Sequence, residues 1–187
     1  MERGSNPEEL MARYQAGDFT AARRLIEQLS PQMRRFFLVE SASRAHADDL
    51  LQETWLRIHS VRHTYRAGEP LLPWLYAIAR YVRVDHYRKL RRTAARERPL
   101  EETSGALDLA TDERGAEDLE ALLAPLSPSE REVIEMMKIA GMSLEEVARA
   151  MSLSVGAVKQ RVHRAYESLR RSMGAMRHLE KRRGGMR

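Results

Sequence analysis

The segment Ser154-Val-Gly-Ala-Val-Lys-Gln-Arg-Val-His-Arg164 gathers side chains suited to reading duplex DNA. On a helical wheel at about 100° per residue, Val158, Val162, Ala165 and Leu169 share one stripe and should face a partner helix. Gly156, Gln160, His163 and Glu167 point the other way, with Ala157, Lys159 and Arg164 on the flanks. A glutamine amide can pair with adenine, Lys and Arg suit guanine or phosphate, and a glycine allows close approach. Ser154 is placed to cap the helix, leaving its N-terminal amides near a phosphate.

A second set lies in Trp74-Leu-Tyr-Ala-Ile-Ala-Arg-Tyr-Val-Arg-Val-Asp-His-Tyr-Arg-Lys-Leu-Arg-Arg92. Here Leu71, Leu75, Ile78, Ala79 and Val82 form the expected inner stripe. Tyr76, Arg80, Arg83, Tyr87 and Arg91 are expected on the opposite face, with Arg88 nearby. Aromatic rings interleaved with arginines suit unpaired bases, because every base offers a face to stack on. For Trp74 and Tyr76 a place in the core is the competing reading. A third set is acidic. In Asp48-Asp-Leu-Leu-Gln-Glu-Thr-Trp-Leu-Arg57, Leu51, Trp55 and Ile58 should face inward and Asp49, Gln52, Glu53 and Leu56 outward. An exposed leucine ringed by acceptors resembles a protein-docking patch, although single exposed leucines are common.

The elements that must carry these sets are helical. Asn6-Pro7-Glu8-Glu9 starts a first helix, Gly17 ends it and Asp18 caps the next. Phe19, Ala22, Leu25, Ile26 and Leu29 keep helical spacing, and Ser30-Pro31 starts a third segment with Met33, Phe36 and Phe37. A longer helix is expected from about Ala47 to His63. The turn-rich loop Tyr65–Pro73 separates it from a helix running from near Trp74 to near Arg92. Ser127-Pro-Ser-Glu130 and Ser143-Leu-Glu-Glu146 are capping boxes. The first opens a helix buried through Val133, Ile134 and Met137 and stopped by Gly141. The second opens a short helix buried through Leu144, Val147, Ala148 and Met151. The turn Ser152–Ser154 then leads into a longer helix ending near Met173, with a frayed basic tail beyond it. A short helix, a tight turn and a longer basic helix have the spacing of a helix-turn-helix.

Charge divides the 187 residues in the same places. Residues 1–92 carry +5, residues 93–126 carry −6 and residues 127–187 carry +6. Two basic blocks suggest nucleic acid; the acidic stretch between them reads as a flexible linker followed by a short helix. The sequence has no cysteine, which excludes disulfides and thiolate metal sites. No apolar run approaches the roughly 20 residues that cross a bilayer, and Met1–Glu9, which has no apolar core, is not expected to be a secretory signal.

Four motifs, Asp48–Arg57, Trp74–Arg80, Leu126–Val133 and Ser154–Arg161, resemble in order and spacing the bacterial extracytoplasmic-function (ECF) sigma factors of the sigma-70 family. The similarity spans residues 8–172. It implies an all-α protein with sigma domain two over residues 1–95, an acidic linker over 96–125 and sigma domain four over 126–187. It further implies a dissociable, cytoplasmic RNA polymerase subunit, neither an enzyme nor a membrane protein, with no catalytic residue, metal or cofactor. By that resemblance Asp49, Gln52, Glu53 and Leu56 would meet the clamp of the polymerase's largest subunit, and domain four would meet the flap of the second-largest. Tyr65, Arg66, Trp74, Tyr76, Arg80, Tyr81, Arg83, Tyr87 and Arg88 would capture the −10 promoter element during melting. Ser154, Gly156, Ala157, Lys159, Gln160, Arg161, His163 and Arg164 would read the −35 element. An anti-sigma factor, membrane-bound in many similar proteins, is a further implied partner. Tyr81 and Ala157 stand where many relatives have asparagine and threonine, so base preference is open at both elements.

Two other readings compete. A conventional helix-turn-helix regulator would share the second block, but it normally carries an α/β input domain and the first block here is helical. His59 and His63, four residues apart, could ligate a metal, although no third ligand is evident beside them. No phosphate loop, nucleophile elbow or paired-carboxylate motif occurs.

Overall fold

The structure, a computed structural model, describes residues 6–38, 44–94 and 122–184, with side chains of 44, 93, 94 and 175–184 outside the description. All secondary structure among these residues is helical: α1 (Pro7–Gln15), α2 (Phe19–Leu38), α3 (Arg44–Val61), a 3-10 turn (Arg62–Thr64), α4 (Leu71–Ala94), α5 (Pro128–Lys138), α6 (Leu144–Met151) and α7 (Val155–Gly184). The chain divides into two compact units, Met1–Glu113 and Arg114–Arg187. The stretch expected to be the acidic linker lies almost wholly outside the described residues.

In the first unit local chemistry sets the helix ends. The Asn6 side chain accepts the Glu8 N–H at 3.1 Å, and Pro7 fixes φ at the first helical position. Gly17, at φ +96°, makes the left-handed exit from α1 that a side chain would resist. Asp18 then accepts the N–H groups of Thr20 and Ala21 at 2.9 and 3.0 Å. Those backbone bonds, the Ala21 bond foremost, and the Arg13 guanidinium hold the Asp18 carboxyl below the usual carboxylate range.

One expected break is absent. Pro31 lies inside α2 rather than opening a new segment. Proline within a helix costs about 3 kcal/mol, but Ala22, Leu25, Leu29, Met33, Phe36 and Phe37 form one buried stripe across it. Fully burying each large apolar side chain contributes about 1.5–3 kcal/mol, so the stripe outweighs the lost bond. Phe19, expected on the same stripe, is instead 70% exposed. Helices α1 to α4 pack each on the next, and α4 returns on α1. Arg34 of α2 and Asp48 of α3 form a bidentate ion pair at 2.6 and 3.1 Å.

The second unit packs α5, α6 and α7 against one another. Both capping boxes form, at Ser127 with Glu130 and at Ser143 with Glu146. Met136 is buried more fully than the Met137 named from periodicity, and Glu132 and Glu135 are buried too. Helix α5 is therefore enclosed on more than one side. Leu123 and Leu126 close over this unit, and the Leu123 carbonyl accepts a bond from Arg131 at 3.2 Å. The chain reverses from α6 to α7 at Ser152, which adopts φ 54°. Helix α7 runs to Gly184 instead of fraying after Met173; the Ala, Met, Arg, Leu, Glu and Lys that follow Gly174 are strong helix formers.

Candidate nucleic-acid interface

Helix α7 presents its outer face as the wheel anticipates. Val158 and Ala165 are fully buried and Val162 and Leu169 half-buried, turned toward α5 and α6. Gly156, Lys159, Gln160, His163 and Arg164 are exposed, whereas Ala157 and Arg161 are half-buried. Lys159, Gln160, His163 and Arg164 together line a shallow, open depression. The Ser154 hydroxyl accepts the Ala157 N–H at 3.2 Å and so caps the helix. A Cβ built on Gly156 would meet nothing nearer than the Ser154 hydroxyl at 3.9 Å. Nothing inside the protein requires glycine there, although glycine in a helix costs about 0.5–1 kcal/mol relative to alanine.

The first-unit surface differs from its sequence reading. Tyr76 and Arg83, expected on the outer face of α4, are buried at 0% and 5% exposure. The Tyr76 ring meets Phe36 edge-on at 5.2 Å between centroids, and the Arg83 guanidinium lies 4.3 Å from the Phe36 ring centre. The wheel gave α4 one inner stripe, but α4 packs on α3 and α1 and also touches Phe36 of α2. The buried sector is therefore wider and takes in both residues. Tyr65 is a third correction. Its ring is buried, its hydroxyl donates to the Glu69 carbonyl, and burial raises its hydroxyl pKa. It supports the loop from within, tilted against Trp74 at 5.5 Å between centroids.

Helix α1 holds that loop at both ends. Gln15 donates to the carbonyls of Arg62 and Tyr65 at 2.6 and 2.8 Å, and Glu8 accepts the Leu71 N–H at 3.1 Å. Trp74 is half-buried and donates its indole N–H to Thr64 at 3.2 Å. Arg66, Tyr81, Tyr87 and Arg88 are exposed and Arg80 half-buried. The exposed stripe of α4 thus runs through Ala77, Tyr81, Val84 and Arg88, beside Trp74. Arg57 of α3, which sequence reasoning missed, holds its guanidinium 5.1 Å from the Tyr81 ring centre. Only the antiparallel pairing of α3 with α4 creates that contact.

The outward residues of α3 are exposed as expected, but its buried side is turned from the expected stripe of Leu51, Trp55 and Ile58 toward Leu50 and Thr54. Asp49, Gln52, Glu53 and Leu56 are exposed, Leu56 at 62%, while Ala47, Leu50, Thr54 and Ile58 form the buried side. Leu51 and Trp55 are half-buried, and the Trp55 indole donates to Ser30 at 3.0 Å. Lys89 links this face to α4. Its ammonium lies 2.8 Å from Asp85 and 3.9 Å from Glu53. The hydrogen bond between Lys89 and Asp85 lowers the Asp85 pKa and raises that of Lys89.

Of the two histidines weighed as metal ligands, His59 engages the Tyr14 hydroxyl through Nδ1 at 2.5 Å. Among the described residues no three or more His, Asp or Glu are grouped to hold a metal ion, and no helix is long and apolar enough to cross a membrane.

Comparison with known proteins matches each unit to a region of one family. Residues 25–93 match Sigma-70 region 2, and residues 116–169 match Sigma-70, region 4. The ECF RNA polymerase sigma factor SigF of Caulobacter vibrioides is 34% identical over 88% of this chain and 92% of its own. The RNA polymerase sigma factor CarQ of Myxococcus xanthus is 32% identical over 89% of this chain and 97% of its own. Among solved structures, the sigma factor RpoE of Bartonella quintana, in complex with the anti-sigma factor NepR, superposes with a TM-score of 0.68 at 26% identity, over 81% of this chain and 96% of the other. CnrH, solved with the cytosolic domain of CnrY, shares the fold at a TM-score of 0.71 and 22% identity, over 90% of this chain and 97% of the other.

Proposed function

Because this chain belongs to the ECF RNA polymerase sigma factors and directs promoter-specific transcription initiation, we propose that its surfaces divide the work as follows. The α7 face of Gly156, Lys159, Gln160, His163 and Arg164 reads the −35 element in the major groove, with Ser154, Ala157 and Arg161 shaping and flanking it. Gln160 and Arg164 supply base contacts and Lys159 a phosphate contact. The loop with Arg66 and the α4 residues Trp74, Tyr81 and Arg88, with Arg80 and Tyr87 on the flank of that stripe, hold the −10 element once its strands part. The α3 face of Asp49, Gln52, Glu53 and Leu56 docks on the clamp of the largest polymerase subunit, and the second unit docks on the flap of the second-largest. Residues 1–95, 96–125 and 126–187 act as sigma domain two, acidic linker and sigma domain four.

The observation that carries this division is the separation of chemistries. One face of α3 is acidic with a protruding leucine, and the outer face of α7 is basic with an amide. The chain works in the cytoplasm and is not itself an enzyme, since the polymerase performs the bond-forming chemistry. An anti-sigma factor holds it inactive, as NepR partners the Bartonella quintana protein. Run-off transcription with core polymerase on a promoter library is the test. Transcripts from a defined subset of sequences are expected. Output no greater than core alone from every sequence would overturn the reading.

A further inference from the structure

Tyr81 is 56% exposed on α4, so packing alone leaves its ring free to rotate. Arg57 reaches from α3 to place its guanidinium 5.1 Å from the ring centre, a contact that favours one orientation of the ring. The surrounding charges favour this pairing. Glu53, one turn before Arg57, and Asp85, one turn after Tyr81, lie 3.9 and 2.8 Å from the ammonium of Lys89. Both carboxylates of this edge therefore have a cation other than Arg57 nearby. An aromatic ring has two faces, and a cation on one leaves the other for a second planar group. Ala77, one turn before Tyr81, and Val84, one turn after it, are exposed and small or apolar, so the edge is unobstructed along the helix.

We propose that Arg57 and Tyr81 form a preorganised plate on which one unpaired base of opened promoter DNA stacks, with Arg57 as its positioning residue. The proposal rests on the strand-holding role given above to the α4 stripe and extends it to a residue of α3. The ligand is a single unstacked nucleobase in single-stranded DNA. The base lies against the face of Tyr81 not covered by the guanidinium, and the positive charge behind the ring draws the strand's phosphates toward the site. Holding the ring before the base arrives reduces the order that must be imposed on binding.

The test uses holoenzyme and a promoter on which the unaltered holoenzyme forms open complexes. 2-Aminopurine is placed singly along the opened segment, and affinity is measured on the same DNA carrying a preformed bubble. Stacking should quench the probe at one position. Tyr81→Ala should abolish that quenching, whereas Tyr81→Phe, which keeps the ring, should preserve it. Arg57→Gln should weaken quenching at the same position and lower bubble affinity about 2–5-fold, and Arg57→Lys should restore part of the loss. Combined with Tyr81→Ala, Arg57→Gln should cost nothing more, because the two act as one unit. Helicity and core-polymerase affinity of each variant are measured in parallel, since Arg57 neighbours Leu56.

Equal losses from Arg57→Gln with and without Tyr81 would overturn the proposal, as would quenching that survives both substitutions or losses matched by weaker core binding. Failure of the unaltered holoenzyme to open any promoter would instead overturn the parent reading, and this one with it.

Discussion

Helices α7 and α4 are both rich in basic residues, but they bury themselves differently. Helix α7 packs on α5 and α6 along one stripe, so the residues facing outward carry no packing. Helix α4 packs on α3 and α1 and receives Phe36 of α2 against Tyr76 and Arg83. Aromatic and basic residues on α4 thus divide: some hold the fold, and others stay exposed. A helix with one buried face can have its outer residues changed without disturbing its packing. A helix packed from several sides cannot, and the same residue types mean different things one turn apart.

The comparison breaks most visibly at Tyr76. Tyr76→Ala should destabilise the first unit by about 3–5 kcal/mol, the range for truncating a buried aromatic, and thermal unfolding would register it. A variant that melts normally and loses only strand opening would restore Tyr76 to the outer surface. Leu56→Asp should have the opposite signature. Its side chain is 62% exposed, so the free protein should unfold as before. Burying the new charge at the polymerase surface should weaken core binding by roughly 3 kcal/mol, measurable by competition for core enzyme.

Arg164→Ala sharpens the contrast from the α7 side. If Arg164 reads a base, the loss should be about 1–3 kcal/mol at one or two upstream positions, with unchanged thermal stability. Gly156→Ala is the smallest and most diagnostic change. Its Cβ has open space within the protein, so the second unit should gain about 0.5–1 kcal/mol, while upstream duplex binding should fall if DNA approaches there. A gain in stability with undiminished DNA binding would leave Gly156 with no role at the interface.

What was legible in the sequence follows from the range of the forces involved. The caps at Asn6, Asp18, Ser127 and Ser143 depend on residues within three positions, and the exit at Gly17 on its own φ. The stripe of α7 and the acidic face of α3 were readable because each of these helices keeps one side clear of packing. The inward turn of Tyr76 depends on Phe36, and the ring contact of Arg57 on Tyr81, neither of which helical spacing reveals. Pro31 misled for the same reason: the local signal said stop, and burial of Met33, Phe36 and Phe37 against the rest of the unit overrode it. Ala157 is half-buried and donates its backbone N–H to Ser154, so a change of side chain there alters the flank of the exposed α7 face and not its cap.

The central claim is that duplex reading and strand opening reside on separate surfaces of one sigma factor. Permanganate reactivity of unpaired thymines, measured with upstream duplex binding by holoenzymes carrying Gln160→Ala or Tyr87→Ala, tests it most directly. Gln160→Ala should weaken upstream binding at particular bases and leave opening intact on DNA already bound. Tyr87→Ala should bind the upstream duplex as the unaltered protein does and expose fewer thymines, since a stacked base is worth about 1–3 kcal/mol only after the strands part. Normal opening by Tyr87→Ala together with unchanged upstream recognition by Gln160→Ala would contradict the account.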